Sequence, residues 1–250
     1  MTGSPPRPRR ATWRAPTGLL LGVAAGVLNL SFVVEPLLPG PARPGATVVS
    51  DLSVPGRPWS WAFRTADIAS ALCLLALCVL TLLLLTRRHH GVMGGTGLAQ
   101  KAWTAGWVAT AVFAVSTVVA AIVTETCAAG VDASCPDSLA DAPAPDLVHD
   151  VVSSLGSSCG VVAALLLAVA MRQTRWLSRL HAVAFVVAAV TGLAFIALQA
   201  QPDDVVSGWV QRVQIVVLSA WFVVVGLTAD HVVGRRGAAG ADVAHEKMRT

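Results

Sequence analysis

Apolar positions in this chain run in long unbroken stretches, without the alternation of a half-buried strand or the one-sided stripe of a surface helix. A hydrocarbon core of about 30 Å is crossed by about 20 consecutive apolar residues in helical form. Six stretches meet that requirement, at roughly 17–38, 63–86, 102–124, 148–171, 181–199 and 209–229. The second is the plainest: IASALCLLALCVLTLLLLT, with no charge between Asp67 and Arg87. The third, WTAGWVATAVFAVSTVVAAIV, is rich in Ala and Val, small residues that suit close helix contact in lipid. The fourth and sixth carry polar residues in their first turns and are then wholly apolar. These patterns predict an all-α fold, a polytopic transmembrane bundle of six helices. Residues 17–229 form the membrane domain, 1–16 a basic N-terminal segment and 230–250 a tail expected to be disordered.

Composition narrows the functional classes. Of the 250 residues, 55% are hydrophobic and 13% charged, with a mean hydropathy of +0.68. Soluble domains carry about 25% charged residues, so an ordinary soluble enzyme, a disordered chain and a nucleic-acid binder are all excluded. The net charge of +4 does not signal a polyanion partner, because the basic residues sort by membrane side. One side collects Arg7, Arg9, Arg10, Arg14, Arg87, Arg88, Lys101, Arg172, Arg175, Arg179, Arg235, Arg236, Lys247 and Arg249. The other keeps Arg43, Arg57, Arg64 and Arg212, together with Asp132, Asp137, Asp141, Asp146, Asp150, Asp203 and Asp204. The positive-inside rule therefore predicts both termini in the cytoplasm (N-in/C-in) and a multi-pass protein of the cell membrane. The first apolar run is too long for a cleaved signal and is expected to stay as an anchor.

Two long connections, about 39–61 and 125–147, fall outside and are rich in Pro, Gly and Asp, the residues of turns. The second contains Cys127 and Cys135 in ETCAAGVDASCPD, and an oxidising face predicts a disulfide between them. Cys73, Cys78 and Cys159 lie in apolar helix and are expected to pack as small hydrophobes. Gly18, Gly22 and Gly26 recur every four residues in the first span, with Asn29 one turn later. The fourth repeats the device with Ser153, Gly156, Ser157 and Gly160. Such stripes let helix backbones approach closely and are read as internal contacts; a homodimer seam is the other option.

Hydrogen-bonding and charged residues within the spans concentrate at one depth, near the outer boundary. Glu35 ends the first span; Arg64 and Asp67 begin the second; Glu125 ends the third; His149, Asp150, Ser153 and Ser154 begin the fourth. Gln199 ends the fifth, and Arg212 with Gln214 lies in the sixth. Intramembrane charges usually face the bundle interior or water. The candidate ligand-binding residues are therefore Glu35, Arg64, Asp67, His149, Asp150, Ser153 and Arg212. The plain account is that they snorkel, cap helices and tie the outer ends together. The functional account is a polar cavity in which Arg64 and Arg212 hold an anionic group while His149 and Asp67 handle protons. Arg64 and Asp67, three residues apart, can meet on one face. Arg212 is expected to pair with Asp67 or Glu35. No metal or cofactor is implied: His149 is the one outer histidine, with His89, His90, His181, His231 and His245 assigned to the inner side. A Ser153, His149, Asp67 triad can be composed, but no catalytic motif sits on a suitable element.

The stretch VVSDLSVPGRPWSWAFRTADIASALCLL joins an outer Ser-x-Leu segment, Gly, Pro and aromatics to an arginine at the start of the second span. With His149-Asp150 and GWVQRVQIVVLSAWFVVVGL, whose helix embeds Arg212, it resembles the domain-of-unknown-function 998 family of multi-span bacterial membrane proteins. The likeness covers roughly 17–229. It implies the six-span fold and supplies no catalytic residues. The Asp67 position and the Cys127/Cys135 pair depart from the family pattern. The expected role is an envelope binding, scaffolding or sensing module, leaning away from an enzyme; a lipid- or headgroup-modifying enzyme and a small-solute transporter are the alternatives. Expected partners are membrane lipids and either a second copy or another envelope protein, not nucleic acid.

Overall fold

A backbone crossing lipid must satisfy its own hydrogen bonds, and an apolar run of this length does so as a helix. A computed structural model describes residues 17–38, 47–86, 97–128, 132, 135, 141–199 and 204–246. It contains α1 (Thr17–Asn29), α2 (Ser60–Thr86), α3 (Gly97–Ile122), α4 (Ala144–Ala170), α5 (Arg175–Gln199) and α6 (Asp204–Glu246). Short 3-10 segments at Ser31–Leu37 and Val49–Ser53 lie between α1 and α2. Among the described residues there is no strand, and six helical stretches are long and apolar enough to cross a membrane. The chain is a multi-pass membrane protein.

Several boundaries differ from those expected. The first span is helical only to Asn29 and then tightens to 3-10 geometry containing Pro36, which has no N–H to continue an α-helix. The fourth starts earlier, at Ala144, with Pro145 in its first turn, where a missing N–H costs nothing. The sixth does not stop near 229 but continues to Glu246, through a stretch without proline and rich in alanine. The N-terminal segment 1–16 and residues 247–250 lie outside the described residues, as do Asp203, His89, His90 and the side chain of Gln199.

Each helix packs on its sequence neighbours, and α6 returns to α1, closing the ring. The closing contact is built from glycine. A Cβ on Gly22 would meet the Phe222 carbonyl at 2.5 Å, and one on Gly26 the Ser219 carbonyl at 2.6 Å. Gly226 lies against the Gly18 backbone. The descending order on α6 as α1 advances gives an antiparallel seam. Asn29 Nδ2 donates to Ser219 Oγ at 2.8 Å at one end of it. At the other, Asp230 accepts from the Gly18 and Leu19 N–H groups, at 2.9 and 2.8 Å, and caps the start of α1. Gly156 and Gly160 of α4 seat Ser116 and Phe113 of α3 in the same manner. Both glycine stripes are internal contacts.

The core joins Leu74, Leu77, Trp103, Trp107, Leu167 and Trp221. α5 exposes Val183, Val186, Val190, Leu193 and Ile196, a face suited to lipid. Trp59, Trp61 and Trp209 are exposed at one end and Trp176 at the other, as at the two interfaces of a bilayer. The end bearing the first group also carries the two long connections and is called the loop end below.

Candidate functional site

At the loop end the polar residues form two separate assemblies. The first surrounds Arg212 of α6, which is 4% exposed. Its guanidinium donates to Glu35 Oε2 at 2.7 Å, to the Thr47 carbonyl at 2.7 Å and to the Gly208 carbonyl at 3.1 Å. The rings of Phe32 and Trp209 lie 5.8 and 5.9 Å from Cζ. One turn of 3-10 helix after α1 delivers both Phe32 and Glu35 to this point, and the neighbouring Gln211 accepts from the Val49 N–H. Of the two carboxylates at suitable depth, Glu35 is the partner and Asp67 is not. The guanidinium is thus spent on the protein itself. A fork already bonded in two directions and walled by aromatic rings closes the α1–α2 connection against α6.

The second assembly centres on His149 of α4, which is buried. Its Nδ1 lies 3.0 Å from the Ala120 carbonyl and 2.9 Å from the Val123 carbonyl. Both neighbours only accept, so Nδ1 carries the hydrogen. These carbonyls end α3, where the helix dipole favours positive charge. Asp67 of α2, Glu125 beyond α3 and the adjoining Asp150 each feel the charge of His149. Three elements therefore converge on one imidazole. Asp51, in the Val49–Ser53 segment, is 2% exposed and acts on Glu125.

Burial pushes the Glu125 carboxyl up to about 7. The His149 charge pulls it down, Asp51 and Asp150 push it up, and a hydrogen bond from Ser50 pulls it down. Glu125 Oε2 and Arg64 Nε are both buried without a hydrogen-bond partner. Arg64 makes no ion pair with Asp67 among the described residues, although the two are three apart on α2. Ser153 is half-buried on α4, and among the described residues no hydrogen bond joins it to His149. The composed serine triad therefore has no hydrogen-bonded pair at its centre, and what stands there is an imidazole whose charge Asp67, Glu125 and Asp150 feel.

Sequence reasoning missed four polar arrangements. Asp51 stood in a Pro/Gly-rich connection and carried no signal of burial. Asp146 accepts from the Thr126 N–H at 2.7 Å and its hydroxyl at 3.1 Å, pinning the α3–α4 connection. The Asp230 cap on α1 is the third. The fourth is His181, expected at an inner helix end, which is fully buried inside the bundle. Trp221 Nε1 donates to its Nδ1 at 2.9 Å, and Thr228 Oγ1 lies 2.9 Å from Nε2. An indole only donates, so this ring is neutral with its hydrogen on Nε2. A histidine within a 19-residue apolar run was the available signal. Cys127 and Cys135 form the expected disulfide, with Cα atoms 5.8 Å apart. Among the described residues no group of His, Cys, Asp and Glu has the arrangement of a metal site.

One family model matches the chain: that described as protein of unknown function (DUF998), over residues 22–228. No curated protein matches it, and no solved structure does.

Proposed function

The chain belongs to the DUF998 family, and from that premise we propose that it is a binding or sensing module of the cell envelope whose loop end faces outward. Its working group is the His149 assembly. One observation carries this reading: Glu125 Oε2 and Arg64 Nε, an acceptor and a donor, are both buried at this end without partners. Buried polar atoms in a native protein are almost always bonded, so two orphans of opposite character at one end suit a polar ligand that donates and accepts. The disulfide in the α3–α4 connection supports the outward orientation, since such bonds persist on oxidising faces. The basic termini support it too. Membrane lipids are the nearest source of such a ligand, and a polar headgroup has both functions.

Native mass spectrometry of the protein extracted with its lipids tests the proposal. A discrete adduct should be retained by the wild type and lost in His149→Ala and Asp67→Asn, while the thermal transition shows that both variants fold. Adducts retained equally by all three would overturn it. Conversion of the bound lipid by the wild type alone would instead favour the lipid-modifying enzyme.

A further inference from the structure

Glu125 stands where the two long connections of the loop end touch. From the α1–α2 connection come Ser50, which hydrogen-bonds it, and buried Asp51, whose charge opposes its ionisation. From α4 come His149 and Asp150, the first favouring its charged form and the second opposing it. From α2, Asp67 acts on His149, while Arg212 of α6 is occupied by Glu35.

Both sides of this contact are anchored. On one side, Thr126 is tied to Asp146, and Cys127 is locked to Cys135. On the other, the Thr47 carbonyl is held by Arg212, the Val49 N–H by Gln211 and the Asp51 carbonyl by Arg57. Glu125 therefore has little freedom to swing away from Asp51 by itself. Relief of repulsion between them has to come from parting the two connections.

We propose that Glu125 is a proton-operated latch: neutral, it holds the α1–α2 and α3–α4 connections together over His149; ionised, it is repelled by Asp51 and Asp150 and the joint loosens. The inference rests on the loop end being the working surface and supplies its regulation. The buried, unpartnered Oε2 fits this role, because an anion there has no donor to replace its water, whereas a neutral carboxyl pays far less for the same burial. The direction is fixed. Glu125 is held near 7, above the ordinary carboxylate range. Closure is favoured at low pH and weakens as pH climbs from the ordinary carboxylate range to about 7.

Hydrogen exchange of the full-length protein in nanodiscs, at several pH values from 5 to 8.5 and corrected for intrinsic rates, provides the test. Peptides covering 47–54 and 123–128 should become less protected with rising pH, by about tenfold per pH unit while the proton is linked to opening. Glu125→Gln should stay protected throughout, and Asp51→Asn should lose less protection at high pH than the wild type, because the repelling charge is gone. A wild type with flat protection across the range, or an Asp51→Asn variant that loses as much protection as the wild type, would overturn the latch. Should Glu125→Gln fail to fold, the extent of protection lost in Asp51→Asn alone decides. The lipid-adduct experiment fails independently, since a latch can open over an empty site and a ligand can bind without one.

Discussion

At the scale of the residue, Arg212 and Glu125 present opposite solutions to a buried charge. Arg212 is matched by a carboxylate, two carbonyls and two ring faces, so its cost is met inside the protein. Removing it leaves Glu35 buried and alone, and breaking a buried pair from one side typically costs about 3–5 kcal/mol. Arg212→Met should therefore lower the thermal transition in detergent markedly, and Arg212→Met with Glu35→Gln should lower it less than the sum of the single changes. An additive cycle would mean the pair contributes nothing. Arg212→Lys should not rescue, because one ammonium lacks the planar fork that reaches Glu35 and Thr47 together. Glu125 has no such match. An acid whose folded-state value is raised makes the native state less stable as pH climbs from the ordinary carboxylate range to about 7. Thermal stability should decline over that interval in the wild type, and the decline should be shallower in Glu125→Gln.

At the scale of the element, the α1–α6 seam is decided by the absence of side chains. In lipid there is little hydrophobic gain from bringing two apolar helices together, so close backbone approach must provide the contact. Gly22→Leu places new carbon against the Phe222 carbonyl and the Gly226 backbone, neither of which is a flexible side-chain tip. It should destabilise by about 1–3 kcal/mol or more. The neighbouring exposed Val23→Leu should be nearly neutral. Equal effects at both positions, measured by thermal unfolding in one detergent, would remove the seam from the account. The disulfide is a second local device. Mass spectrometry without reductant should recover Cys127 and Cys135 in one linked peptide.

At the scale of the whole molecule, six consecutive antiparallel helices closed by α1 and α6 place the start of α1 and the end of α6 at one end and the polar assemblies at the other. With the loop end outward, a single cysteine near position 45 in a cysteine-free background should react with impermeant thiol reagents on intact cells. One near 90 or 240 should not. Labelling at 240 would reverse the orientation and remove the loop end from the envelope. The exposed Trp59, Trp61 and Trp209 at one end and Trp176 at the other should hold the bundle in register with the bilayer in either case, because their amphipathic rings prefer the interfaces.

Properties that belong to one segment were determined by the sequence alone. Span number follows from apolar length, and the depth of Glu35, Asp67, His149 and Arg212 follows from counting along each span, because a helix rises by about 1.5 Å per residue. The Cys127–Cys135 bond joins residues eight apart, and the glycine stripe needs only its own spacing. Azimuth was not determined. In lipid both faces of a span are apolar, so hydropathy carries no record of which face meets which neighbour. Only the closed ring decided that Arg212 meets Glu35 and not Asp67, that Asp230 caps α1, and that His181 meets Trp221 and Thr228. Asp51, Glu125 and His149 come from three separate connections and helices, and their meeting exists only once the whole ring is assembled.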